Sequence, residues 1–257
     1  MSVPSVVVHR DADVLAKAVA ARIITRLVDA QSAKGWASIV LTGGSVGIAT
    51  LAAIAATPAR DAVDWPKLDV WWGDERFLPE GDPERNETGA RKALLDHVDL
   101  DPARVHVMRG PDSGMTAEES ADAYTAELRA AARPEDHGPA PSFDVMLLGM
   151  GPDAHVASLF PGMPALYDTR PVVAVHGSPK PPPTRISLTL PTIQAAREVW
   201  VVAAGAEKAG SVRLALSDSG PVQVPAAGAR GRGRTLFLLD RAAAAKIPAG
   251  LGRIASP

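Results

Sequence analysis

The sequence predicts an α/β fold: a mostly parallel sheet with helices on both faces, in one domain spanning residues 1–257. Three observations predict it. Short apolar runs of strand length alternate with longer stretches whose apolar positions recur at helical spacing. Runs such as WASIVL and DVMLL are mostly apolar and do not alternate, as strands covered on both faces are. Three of these runs end in polar, glycine-containing clusters, where open parallel sheets bind their ligands.

Taken in order, SVVVHR reads as the first strand. Asp11 or Asp13 caps the helix ADVLAKAVAARIITRLVDAQSAK, which Gly35 ends. WASIVLTGG is the second strand and VGIATLAAIAA resumes helical composition. LDVWWGDERFLP reads as one strand running into polar residues. NETGARKALLDHV and TAEESADAYTAELRAAA read as helices, and SFDVMLLGMG as a further strand. RPVVAVH and REVWVVAAG are also strands, and TLFLLDRAAAAKI is a late strand passing into a helix. Residues 109–114, 133–142 and 177–184, rich in proline and glycine, read as loops within the domain. PAAGARGRGRTL is locally basic but short and without interleaved aromatics, so it reads as a surface loop and not as a nucleic-acid arm.

Composition narrows the function. With 46% hydrophobic and 22% charged residues, the chain has the make-up of a soluble globular protein able to bury a sizeable core. A formal net charge of −2 offers no global field for nucleic acid or acidic lipid, so an anionic ligand must be met by local cations. The absence of cysteine removes disulfides, thiolate nucleophiles and Cys-ligated zinc. The N-terminus does not read as a secretory leader, and no segment approaches the roughly 18 uninterrupted apolar residues of a membrane span. A cytoplasmic protein is the expectation.

The first cluster, Thr42-Gly43-Gly44-Ser45, continues as Val46-Gly47 and so fits G-x-S-x-G. That pattern marks the nucleophile elbow of some serine hydrolases. An elbow normally follows several strands and an oxyanion loop, whereas one strand and one helix precede this one. The other reading is a phosphate cradle, in which glycines let backbone N–H groups reach an oxyanion at a helix N-terminus and the hydroxyls of Thr42 and Ser45 donate. A plain strand-to-helix turn capped by Ser45 is the remaining reading. The second cluster is Asp74-Glu75-Arg76. Strand geometry sends the two carboxylates to opposite sides, so only one faces a site, and Arg76 is suited to grip a phosphate. Asp74 and Arg76 are the candidate substrate contacts; a surface ion pair with Arg76 or Arg85 is the alternative. Asn86 and Arg91 are either further contacts or a helix cap and a solvated helix face.

The third cluster, Gly149-Met150-Gly151-Pro152-Asp153-Ala154-His155, sets an Asp two residues before a His. His155 is the natural general base and Asp153 can orient its ring. The glycines, Gly151 in particular, suggest close approach of backbone to ligand. No second nearby histidine completes a metal site, so no metal is expected. In SPKPPPTRISLTLPTI, Lys180 and Arg185 flank three prolines on a stiff loop suited to an anion, or to a developing oxyanion. The other five histidines, His137 among them, carry no chemistry, and Trp71-Trp72 is core and rim packing.

LTGGS, WWGDERF, GMGPDAHVASLFPG, SPKPPPTRISLTLPTI and GAEKA, in this order, resemble the 6-phosphogluconolactonase family over nearly the whole chain. The resemblance implies a Rossmann-like fold shared with glucosamine-6-phosphate isomerase, and hydrolysis of 6-phospho-D-glucono-1,5-lactone in the pentose phosphate pathway. It implies no cofactor, no nucleic-acid or membrane partner, and a phosphorylated sugar lactone as ligand; a monomer is expected. By the same resemblance His155 is the base and Asp153 its partner. The Thr42–Ser45 turn, Arg76, Lys180 and Arg185 hold the substrate. Where the family often has Gly, Thr and Thr-Pro, this chain has Ala154, Val156 and Val46-Gly47. The alternatives are an isomerase or deaminase of the sister family, and a sugar-phosphate binder without turnover.

Overall fold

The computed structural model of the chain describes residues 1–136, 138–248 and 250–255. Along the chain run β1 (Pro4–His9), α1 (Ala12–Lys34), β2 (Ala37–Leu41), α2 (Gly44–Ala56), β3 (Leu68–Trp72), β4 (Asp74–Arg76), α3 (Asn86–Ala93) and α4 (Ala117–Ala131). They are followed by β5 (Val145–Gly149), β6 (Val172–Val175), β7 (Arg185–Leu188), α5 (Leu190–Ala195), β8 (Glu198–Ala203), α6 (Ala209–Ala215), α7 (Pro225–Gly228), β9 (Arg234–Asp240) and β10 (Gly252–Ile254). Helix ends follow local chemistry. Asp11 caps α1 by accepting the Val14 N–H at 2.9 Å, and Gly35 closes it at φ 81°. Thr116 and Glu119 form a capping box at the start of α4.

Seven strands form one sheet in the order β10-β1-β9-β8-β5-β2-β3, and every pairing in it is parallel. Alternate side chains enter two separate cores. Val40, Met146, Leu148, Val199 and Val201 pack on one face with α4 to α7, while Ile39, Leu41, Val145, Leu147 and Trp200 pack on the other with α1 and α2. The order of the strands reverses between β2 and β5, because β3 lies outward of β2 and β8 and β9 lie beyond β5. The carboxyl ends of β2 and β5 therefore flank the crevice where doubly wound sheets bind ligands. The Gly149 N–H donates to Thr42 Oγ1 at 3.1 Å and ties the two strand ends together.

Several expectations are corrected. WWGDERF is not one strand. The chain leaves the large sheet at Gly73, whose N–H bonds Leu41 O in the large sheet and whose carbonyl accepts from Leu188 in β7. Residues 74–76 then form β4 in a separate antiparallel sheet, β4-β7-β6. RPVVAVH supplies β6 of that small sheet. SPKPPPTRISLTLPTI is only partly loop: Arg185 opens β7 and the segment ends in α5. PAAGARGRGRTL is only partly surface, since Ala226 and Ala229 are fully buried and the Arg230 guanidinium lies over Phe237. The tract after β9 forms turns instead of the expected helix. Trp71 and Trp72 are both core.

Candidate active site

Four segments converge on a cavity of about 260 Å³ above the β2–β5 crevice. Thr42, Gly43 and Gly44 come from the turn after β2, and Gly149, Gly151 and His155 from the segment after β5. Asp74, Arg76 and Arg185 come from the small sheet, and Lys180 from the loop before β7. Every candidate substrate or catalytic residue named from sequence lines this cavity except Ser45, Asp153 and Arg91. Ser45 is exposed and lines an adjoining cleft, which shares Gly43, Gly44, Arg76 and Asn86 with the cavity. Asp153 stands behind His155.

The turn after β2 is shaped for close approach. Gly43 is the N-cap of α2 and supplies no side chain, so the first N–H groups of the helix keep no protein cap. A Cβ on Gly43 would sit 1.9 Å from Asn86 Oδ1, and one on Gly47 would sit 2.6 Å from Thr42 O. Glycine at 47 therefore lets the first turn of α2 fold back on Thr42.

After β5 the chain forms a tight loop closed by the Gly151 N–H to His155 O at 3.0 Å. A Cβ on Gly151 would collide with the His155 ring at 2.1 Å. Ala154 holds φ 66° and Ala157 φ 49°, left-handed conformations that disfavour residues with a Cβ. Inside this loop His155 Nδ1 lies 2.5 Å from Asp153 Oδ1. An ionised carboxylate only accepts, so Nδ1 carries the proton and Nε2 is left with its lone pair. Burial lowers the His155 pKa; Asp153 opposes this and nearby Lys180 adds to it, so the ring stays below its ordinary value and neutral at pH 7. Burial pushes Asp153 up, but the His155 hydrogen bond and the Lys180 charge outweigh it and leave the carboxyl below the usual range. Phe160 packs on the ring, with centroids 4.5 Å apart.

The small sheet supplies charge. Asp74 and Arg76 face the cavity, and Glu75 between them points away, as strand alternation requires. Asp74 accepts from Ser158 Oγ at 2.7 Å. Arg185 is buried in β7 and is not a loop cation. Its guanidinium donates to the carbonyls of Lys180, Pro181 and Pro182, holding the proline segment in place, and one nitrogen stands 4.0 Å from Asp74. Lys180 Nζ lies 3.9 Å from Asp153 Oδ1, beside the dyad. Arg76 donates to Glu84 O, and its Nε is buried without a partner.

The sequence does not single out one lining residue as a contact, and it leaves Asn86 open between contact and helix cap. Lys208 lines the cavity, its pKa lowered by burial and by Lys180. The motif GAEKA was its only signal. Asn86 also lines the cavity as the first residue of α3. Arg91 proves to be helix surface, paired with Glu87 and Asp96. His106 stacks on Trp71 and bonds Glu127, His97 bonds Lys92 O, and His176 pairs with Glu118. His137 lies outside the described residues. Among those described, no group of three or more His, Asp or Glu side chains is arranged to hold a metal, and no helix is long and apolar enough to cross a membrane.

The family model for glucosamine-6-phosphate isomerases/6-phosphogluconolactonase matches residues 10–237. The chain belongs to this family. Within it, the chain is 62% identical to a 6-phosphogluconolactonase of Streptomyces coelicolor over 96% of both chains. It is 50% identical to the 6-phosphogluconolactonase of Mycobacterium tuberculosis over 95% of this chain and 98% of that one. Among solved structures, the 6-phosphogluconolactonase of Trypanosoma brucei superposes with a TM-score of 0.82 at 31% identity, covering 95% of this chain and 99% of that one. Family membership confirms the Rossmann-like architecture that the strand order displays.

Proposed function

We propose that this chain, one domain over residues 1–257, hydrolyses 6-phospho-D-glucono-1,5-lactone to 6-phospho-D-gluconate in the pentose phosphate pathway. The observation that carries this reading is His155, oriented by Asp153, opening onto a cavity ringed by Arg76, Lys180, Arg185 and Lys208. A phosphorylated lactone needs this pairing of a base with several cations. The relatives that share its sequence over almost its full length support the same reaction.

His155 Nε2 takes a proton from water as the oxygen attacks lactone C1. General-base action of this kind contributes roughly 10²–10⁴-fold. Lys180, the cation beside the dyad, meets the tetrahedral oxyanion, where one such group is worth roughly 10²–10³-fold. The ring oxygen then leaves as C1 collapses to the carboxylic acid, the imidazolium of His155 returns its proton to that oxygen, and the new acid ionises by releasing a proton to solvent. Arg76 and the uncapped N-terminus of α2, with Thr42, Gly43 and Gly44, hold the phosphate. Ser45 extends that cradle into the adjoining cleft and does not line the cavity that holds His155, which favours the cradle over a nucleophile. No metal or organic cofactor enters any of these steps. A monomer acting in the cytoplasm is part of the same proposal.

The test is a pH-stat assay on freshly made lactone, corrected for spontaneous hydrolysis, beside assays for aldose–ketose isomerisation and deamination. Saturable acid release, with neither other activity, is the expected result. Isomerisation or deamination without acid release overturns the reading in favour of the sister activity, and binding of 6-phosphogluconate without any turnover overturns it in favour of a sensor.

A further inference from the structure

Glu75 is a fully buried carboxylate that faces away from the cavity and takes no part in the steps above. Its surroundings are nonetheless specific. Oε1 accepts the backbone N–H of Arg76 at 2.8 Å and of Asn86 at 2.7 Å, and Oε2 accepts the backbone N–H of Glu87 at 2.8 Å. The last two are the first N–H groups of α3. The residue at the N-cap of α3 is Arg85, which provides no side-chain cap. Glu75 thus does a cap's work from another element, fastening β4 to the helix with one side chain.

What is fastened matters for the site. Asn86 Nδ2 donates to Asp74 O at 2.9 Å, and its Oδ1 rests against Gly43 in the turn after β2. Asn86 and Arg76 line both the cavity and the adjoining cleft. Arg85 compensates the buried charge: its guanidinium lies 3.9 Å from Glu75 and 3.0 Å from Glu87, and it donates to the carbonyls of Leu78 and Met108. No hydrogen bond or ion pair links Glu75 to Asp153 or His155 among the described residues.

We propose that Glu75 is a positioning residue for substrate binding, holding Arg76 and Asn86 in register with the glycine turn while leaving the His155 dyad untouched. The proposal rests on the lactonase reading, and the experiment separates the two. In Glu75→Gln one acceptor becomes a donor that faces backbone N–H groups. Hydrolysis of fresh lactone is measured for the wild type, Glu75→Gln, Glu75→Asp and Leu95→Ala, a core substitution outside the site that reports the effect of lost stability alone. Binding of 6-phosphogluconate is measured by calorimetry on each folded protein. Glu75→Gln is expected to raise KM and Kd about tenfold or more, with kcat within about threefold and its pH midpoint unmoved. Glu75→Asp, which keeps both acceptors, recovers part of the loss. Leu95→Ala lowers Tm with KM unchanged. If Glu75→Gln does not fold, Glu75→Asp carries the same test at smaller amplitude. KM and Kd within about twofold of wild type in the folded variants, or a shifted pH midpoint of kcat, overturn the proposal. Absence of hydrolysis in the wild type instead sinks the lactonase reading, and the binding data still decide whether Glu75 positions the ligand.

Discussion

The two sheets contribute to one cavity in different ways. The parallel sheet offers strand ends: a glycine turn after β2 and a tight loop after β5 that carries the Asp153–His155 dyad. Its contributions are backbone N–H groups and an imidazole whose pKa burial lowers. The small antiparallel sheet offers strand faces: Asp74 and Arg76 on β4 and Arg185 on β7, paired directly across the ladder as Asp74 with Ser187 and Arg76 with Arg185. Its contributions are fixed charges, set by alternation and held by buried partners. In the proposed reading the base sits on the parallel rim, while the phosphate is shared between that rim's glycine turn and Arg76 of the small sheet.

Substitutions can break this division. The largest effect is expected from His155→Ala, where kcat falls roughly 10²–10⁴-fold because the base is gone; a kcat near that of the wild type removes His155 from the mechanism. Next is Arg76→Ala on the small sheet. A charge-assisted contact to phosphate is worth about 1.5–3 kcal/mol, so KM rises roughly 10–10²-fold with kcat nearly kept. A fall in kcat at unchanged KM would place Arg76 in the chemistry. Asp153→Asn is expected to lower kcat roughly tenfold or more by releasing the ring tautomer. Because the carboxylate favours the imidazolium, its removal also moves the acid limb of the pH–rate profile to lower pH; a move to higher pH contradicts the pairing. In the wild type the base must be neutral and its pKa is depressed below 6.5. Activity is therefore level around pH 7 and declines only as pH falls through that lowered value, and a midpoint above 6.5 would show that Asp153 outweighs burial. The smallest effect is on stability. Ala154→Gly relieves a left-handed alanine, a strain of about 1–2 kcal/mol, against the roughly 0.5–1 kcal/mol of added chain entropy that glycine brings. Thermal unfolding should show a gain between zero and about 1.5 kcal/mol, a Tm rise of at most about 6 °C, and a fall in Tm contradicts the strain at Ala154.

The same contrast explains what was legible in the sequence. The parallel sheet announced itself through apolar runs of strand length and through Thr42–Ser45 and Asp153–His155 at their ends, since burial on both faces and binding at carboxyl ends leave local marks. The small sheet left few. β4 is three residues long and follows β3 after Gly73 alone, so WWGDERF reads as a single strand. β7 begins one residue after the prolines, and its pairing with β4 joins segments far apart in sequence. Glu75 was assigned to the side away from the site by alternation, but its three backbone partners depend on where α3 begins. Lys208 resembles any solvated lysine near a helix start until the fold turns it toward Lys180. Ser45 sat within a legible motif, yet the turn directs it into the neighbouring cleft.

The division of labour is tested most directly by titrating 6-phosphogluconate into His155→Ala protein in a calorimeter. The account predicts a Kd within about threefold of the wild type while kcat for lactone hydrolysis falls roughly 10²–10⁴-fold. Loss of binding together with turnover would contradict it, because His155 would then belong to recognition as much as to chemistry.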